Sequence, residues 1–184
     1  STSALGTSVT TMLLTGLAVS ALAGALNSLL SYFADNEMLR QISIWQMGNL
    51  STANWSRVTI IGAVGLVVLV LFPRDSKALN ALLLGESEAR HLGIDVQKVK
   101  RRLIVLTTLG VGVSVAIAGM IGFVGLVVPH IVRLLIGPDH RNLLPVSALA
   151  GGILLVIADT VARVIISPTE LPTGIITALL GAPF

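Results

Sequence analysis

The side chains able to do chemistry in this 184-residue sequence are few and unevenly placed: nine Asp and Glu, twelve Lys and Arg, three His and no Cys. Without Cys there is no disulfide and no thiolate for nucleophilic or metal chemistry. His91, His130 and His140 are not spaced as metal ligands with any acidic partner. His130 could relay a proton or ligate haem iron, but a lone histidine in an apolar run is more often a satisfied packing residue. No G-x-x-x-x-G-K-[ST] phosphate loop, G-x-S-x-G elbow or H-E-x-x-H pair occurs. The enzyme reading is therefore weak, and no residue is assigned as catalytic or metal-binding.

Two groupings remain. Asp159 and Arg163 are one helical turn apart inside an apolar run. Ionisable groups there are costly and usually paired. They form either a structural ion pair or a site from which Arg163 reaches an acidic partner. The larger grouping is Arg74 to Arg102, which carries Arg74, Lys77, Arg90, Lys98, Lys100, Arg101 and Arg102 interleaved with Asp75, Glu86, Glu88 and Asp95. Within it, Ala78–Leu84 and Glu86–Leu92 read as short helices closed by Gly85 and Gly93. Glu86, Glu88 and Arg90 offer charge for register, and Ala89 and Leu92 offer apolar surface for a partner's groove. An ordered connector without a partner is the plainer alternative.

The elements that position these groups follow from composition. Hydrophobic residues make up 54% of the chain and charged ones 11%, with mean hydropathy +0.91. That leaves too little polar surface for a soluble globule. The apolar runs do not alternate as a membrane β-barrel requires. The fold class is thus an all-α membrane protein, a polytopic helix bundle, and the net charge of +3 is a loop property rather than a nucleic-acid patch. Spans are expected at Val9–Phe33, Val58–Phe72, Leu103–Gly119, Ile121–Ile136 and Leu144–Ile166, with a further helical start at Thr173–Leu180: about five full spans and the beginning of a sixth. The third and fourth are too long for one crossing, and Gly119, Gly122 and Gly125 mark the reversal between them. Pro129 should kink the fourth. In the first span Gly16, Ser20, Gly24 and Ser28 make a small-residue stripe, either for helix packing or facing a pore. Met38, Ile42 and Trp45 give the Asp35–Asn54 connection a short amphipathic run at the membrane surface. The basic bias places Arg74–Arg102 in the cytoplasm, with Asp35–Asn54 and Ser167–Glu170 outside.

The runs Leu84-Gly85-Glu86-Ser87-Glu88-Ala89-Arg90-His91-Leu92-Gly93, Gly122-Phe123-Val124-Gly125-Leu126-Val127-Val128-Pro129-His130-Ile131-Val132-Arg133, Asp139-His140-Arg141 and Glu170-Leu171-Pro172-Thr173-Gly174 resemble the permease subunits of bacterial ABC importers for iron–siderophore complexes, haem and cobalamin. The resemblance covers essentially the whole chain. It implies a type II importer permease of about ten spans, with this chain as its second half. A start without Met and an end inside an apolar run agree with a fragment of a larger permease.

Further expectations come from the resemblance alone. Residues 1–184 would form one permease region of the bacterial inner membrane, with 74–102 as its cytoplasmic coupling loop. Leu84 to Gly93 would be the coupling helices seated in the partner ATPase, although Glu88-Ala89 is followed by Arg90 and Gly93 comes one position early for the Glu-Ala-Ala loop of other importers. Arg163 would pair with a glutamate of the periplasmic binding protein. Thr10 and Thr11 would stand at the cytoplasmic gate, and the helix Met38–Met47, with Trp45, Gln46 and Met47, would border the path. Implied partners are a second permease copy, two ATPase subunits that hold ATP and Mg, a periplasmic binding protein and the bilayer; no nucleic acid and no cofactor of this chain's own. Leu39-Arg40 and Ile44-Trp45 resemble haem and cobalamin permeases more than catecholate-siderophore ones and incline the cargo toward haem, with a ferric siderophore or cobalamin as the alternatives. An ion-coupled secondary transporter, with Asp159 as its carboxylate, and a structural membrane scaffold are the rival classes.

Overall fold

In lipid every backbone N–H and C=O must be bonded within its own segment, so apolar runs of this kind fold as helices. The computed structural model describes residues 9–166 and 171–183, and those residues form helices and the loops between them. The chain divides into two units, Ser1–Ser43 and Ile44–Phe184.

The first unit holds α1 (Val9–Phe33) and most of α2 (Asn36–Met47). At 25 residues, α1 measures about 37 Å at ~1.5 Å per residue, enough to cross a bilayer. Thr10, Thr11, Gly16 and Ser20 are all exposed along it. Asp35 starts α2 by accepting the backbone N–H of Met38 at 2.8 Å.

The second unit continues with α3 (Trp55–Leu71), a 3-10 turn (Phe72–Asp75), α4 (Ser76–Leu82), α5 (Glu86–His91), α6 (Val96–Ala118), α7 (Val124–Ile136), α8 (His140–Val164) and α9 (Thr173–Gly181). Among the described residues four stretches are long and apolar enough to cross a membrane: α1, α3 running on through the 3-10 turn into α4, α6 and α8, with α7 shorter. Helix α7 packs along α8, where Val128, Val132 and Leu143 are buried among Val124, Ala150 and Leu154. Most other apolar side chains on the long helices face outward.

The boundaries shift from expectation for local reasons. Helix α3 begins at Trp55 rather than Val58 because the Asn54 side chain accepts the Arg57 N–H at 2.9 Å. Helix α6 begins at Val96, not Leu103, because Asp95 accepts the Lys98 N–H at 3.1 Å. The basic run Lys98–Arg102 is therefore the opening of a long helix. Helix α7 spans 13 residues, fewer than the expected Ile121–Ile136, since residues 119–123 are used by the reversal. Pro129 lies within α7, which continues through it. The expected turn at Ser167–Glu170, the first eight residues and Phe184 lie outside the described residues.

Candidate functional site

The charged stretch folds as a built platform. Its centre is a small core of Ala81, Ala89 and Val96, with Leu82 and Ile94 packed against it. Burying Val96 alone contributes about 2 kcal/mol. Helix α5 closes in a paired backbone motif, with Gly93 N–H on Arg90 O at 2.9 Å and Ile94 N–H on Ala89 O at 3.0 Å. That motif needs the positive φ of 80° that Gly93 adopts.

Charge then ties this core outward. Asp75, 2% exposed, is held by the Arg102 guanidinium through Nε at 2.8 Å and through Nη2. This joins the 3-10 turn to α6. Glu86 pairs with Lys100 of α6 and lies 3.7 Å from Arg90. The Lys98 ammonium and backbone N–H both bond Asp95 and draw its carboxyl below the ordinary range. Left outside these ties are Leu83, Leu84 and Leu92, all exposed, beside the charged side chains of α5. In the sequence-predicted segment Leu84 to Gly93, Ala89 does not offer surface to a partner as expected, because it is fully buried against Ala81 and Val96, while Leu84, Glu86, Ser87, Glu88, Arg90, His91 and Leu92 are exposed.

On the same flank, Asn80 of α4 bonds Asp139 and His140 at the start of α8, through Nδ2 to Asp139 Oδ1 at 2.6 Å and through Oδ1 to the His140 N–H at 2.9 Å. Asp139 also caps α8 by accepting the Arg141 N–H at 3.0 Å. The Arg141 N–H, followed by the Asn80 amide, holds the Asp139 carboxyl below its ordinary value.

The opposite ends of α6 and α8 are built differently. There the C-terminus of α2, the end of α6 and the start of α9 meet through backbone. Asn49 N–H bonds Ala118 O at 2.8 Å, Met120 N–H bonds Trp45 O at 3.3 Å, and Gly174 N–H bonds Gly48 O at 3.1 Å. A Cβ on Gly119 would overlap Trp45 O, and one on Gly174 would overlap Met47 O. Trp45 and Met47 thus enter this junction through their carbonyls. Trp45 also donates its indole N–H to Ala116 O at 3.4 Å. Next to it, Phe123 takes φ 65° before α7, with its side chain where a Gly181 Cβ would lie.

Arg163 and Asp159 form the intra-helix pair, Nε to Oδ2 at 2.7 Å, and the buried Thr173 hydroxyl donates to the other Asp159 oxygen at 3.0 Å. The structural ion pair is therefore present, and it ties α8 to α9. His130 is exposed beside an apolar cavity of about 310 Å³ lined by Phe123, Leu126, Val127, Gly181 and Ala182. Among the described residues no cluster of three or more His, Asp or Glu could hold a metal.

Sequence reasoning did not single out Asp75, Arg102 or Asn80 as ties, nor Gly48 and Gly174 as close-approach positions. For Asn80 a signal existed: asparagine within a helix is unfavourable unless its side chain has a partner elsewhere.

The family model described as the FecCD transport family matches residues 1–184. The chain belongs to the FecCD transport family. Among its relatives, the hemin transport system permease protein HmuU of Yersinia pestis is 46% identical over 94% of this chain and 52% of its own length. The cobalamin import system permease protein BtuC of Halobacterium salinarum is 49% identical over 97% of this chain and 47% of its own. A solved structure described as an inward-facing metal-chelate type ABC transporter superposes with TM-score 0.90 at 39% identity, covering 96% of this chain and 57% of that one. The chain spans about half the length of the curated relatives it matches. As a FecCD family chain with four membrane-length helices and a shorter apolar one, it is a multi-pass protein of the inner membrane.

Proposed function

We propose that this chain is half of a permease subunit that moves a metal chelate inward, driven by ATP hydrolysed in separate partner subunits. The observation that carries the reading is the platform: α4 and α5 have their own core, and α5 turns charges and leucines outward with no described element packed over them. Such a surface suits a partner that must grip it and transmit force. In this reading Leu84 to Gly93 seat in a cleft of the ATPase, with Arg74–Arg102 on the cytoplasmic side. The complete assembly holds two permease copies, two ATPase subunits and a periplasmic binding protein. Arg163, whose side chain is 44% exposed, exchanges part of its Asp159 pairing for an acidic group of the binding protein. Thr10 and Thr11 stand at the gate, and α2 borders the path. ATP in the partner supplies the free energy, and this chain supplies contacts that differ between two states.

The cargo proposed first is haem, supported by the likeness to the hemin permease of Yersinia pestis; cobalamin, for which equally similar relatives are named, and a ferric siderophore are the alternatives. The test uses the complete permease with its ATPase and binding protein in proteoliposomes. Glu86→Ala/Glu88→Ala/Arg90→Ala should insert normally yet lose ATP-driven uptake. Uptake of haem, cobalamin and a ferric siderophore is measured in parallel. Normal transport by the triple variant, or uptake that follows a proton gradient rather than ATP, would count against the proposal.

A further inference from the structure

We propose that Asn80 is a positioning residue that makes the α4–α5 platform and the opening turns of α8 one mechanical body. The argument starts from hydrogen-bond chemistry. The Asp139 carboxylate that meets Asn80 can only accept, so the Asn80 group 2.6 Å from it is the amide nitrogen. That fixes the other end of the side chain. Asn80 Oδ1 then accepts from the His140 N–H at 2.9 Å and from His140 Nδ1 at 2.8 Å, so the ring proton sits on Nδ1. One short side chain thus makes three bonds to two consecutive residues some 60 positions along the chain. Because the same Asp139 oxygen caps α8 at the Arg141 N–H, the tie holds the first turn of α8 itself.

The other ties of the platform run elsewhere. Asp75–Arg102 and Glu86–Lys100 both lead into α6. Among the described hydrogen bonds and ion pairs of the platform, those of Asn80 lead to α8. Helix α8 carries Asp159 and Arg163 near its far end, and Asp159 holds Thr173 at the start of α9. Displacing the first turn of α8 therefore displaces the far end as well, about 37 Å away for 25 residues at ~1.5 Å each. The consequence for transport rests on the function proposed above; the rigidity of the tie does not.

The chemistry also supplies its own control. Asn80→Asp sets a carboxylate against Asp139 and breaks the tie. Adding Asp139→Ser restores a donor: one hydroxyl can donate to the new carboxylate and accept the Arg141 N–H at the same oxygen, as the single Asp139 oxygen now meets both, and both His140 donors keep an acceptor. The chain has no Cys, so Lys77→Cys on the exposed side of α4 and Leu149→Cys on the exposed face of α8 can carry spin labels. In nanodiscs, the label-to-label distance in the complete permease should be narrowly distributed and unchanged when ATP-loaded ATPase is added. Asn80→Asp should broaden it, and Asn80→Asp/Asp139→Ser should narrow it again. Haem uptake per ATP hydrolysed in proteoliposomes should fall about tenfold in the single variant and return to within about threefold in the double, the range expected within one hydrogen-bonded network. If Asn80→Asp does not fold, Asn80→Ala removes all three bonds without adding charge and is read by the same distances. A single variant with wild-type distances and uptake would overturn the proposal, as would a double variant no better than the single. A wild-type complex that hydrolyses ATP without moving haem, cobalamin or a ferric siderophore defeats the proposed function instead, while the distances measured without ATPase still decide the tie.

Discussion

The two ends of the α6–α8 region are fastened mainly by different means. At one end side chains do the work: Asp75 with Arg102, Glu86 with Lys100, and Asn80 with Asp139 and His140. At the other, carbonyls and N–H groups meet directly through Gly48, Gly119 and Gly174, where no room is left for a Cβ, and the side-chain tie of Asp159 to Thr173 is an addition to that junction. Side-chain ties can be weakened, exchanged or titrated one at a time. A backbone junction either fits or does not. The first kind suits a part that must yield and re-form as a partner closes on it; the second suits a fixed point.

The sharpest way to break this comparison is to add one methyl group at the glycine end. Gly119→Ala combines a positive φ of 77° with overlap on Trp45 O, and should cost about 3 kcal/mol or more. Gly174→Ala, which meets Met47 O, should cost nearly as much. Gly112→Ala on the same α6 has open space and should be neutral or gain up to about 1 kcal/mol. Thermal unfolding in detergent checks all three, and equal behaviour of Gly119 and Gly112 would remove the distinction.

Next in size is Arg102→Met, which strands the buried Asp75 carboxylate. About 2 kcal/mol is expected, below the value for a fully buried pair because Arg102 is 56% exposed. The same unfolding measurement reads it, and Asp75→Asn/Arg102→Met should recover most of the loss. Thr173→Val comes third. It keeps the shape of the buried residue but deletes its bond to Asp159, at about 1 kcal/mol; a larger loss would mean that the α8–α9 contact depends on side chains as much as the platform does.

The smallest effect separates the ends by pH. Asp95 and Asp139 both have carboxyls held below their ordinary 3.8. A carboxyl depressed on folding adds stability that is present above the unfolded value and is lost as pH falls through the folded one. Hydrogen exchange in α4 and the first turns of α6 and α8 should therefore quicken as pH drops through and below about 3.8, with no matching change at Gly48, Gly119 and Gly174. Asp139→Asn should remove the part seen in α8.

Helix content and membrane character were legible because lipid admits few choices for apolar runs of such length. The platform was legible as well: Gly85 and Gly93 bracket α5, and Glu86, Glu88 and Arg90 lie on its outward face, as the spacing implied. The pairing of Asp159 with Arg163 followed from helical periodicity. The start of α6 was misplaced by seven residues because Lys98 to Arg102 look like loop in a hydropathy reading, whereas Asp95 caps a helix that runs straight through them. The reversal was legible from Gly119, Gly122 and Gly125, but the fourth span was overlong because nothing local reveals that Gly119 to Phe123 are taken up by contacts with Trp45 and Gly181.

By itself, then, the sequence determined the class of protein, most of its helices and the charged surface it offers, since each depends on neighbours within a turn or two. Only the tertiary structure decided which charges are fasteners and which are free to meet a partner, and which glycines are indispensable. Those properties belong to pairs such as Asn80 with His140 or Gly174 with Met47, and a pair separated by scores of residues leaves no mark in local spacing.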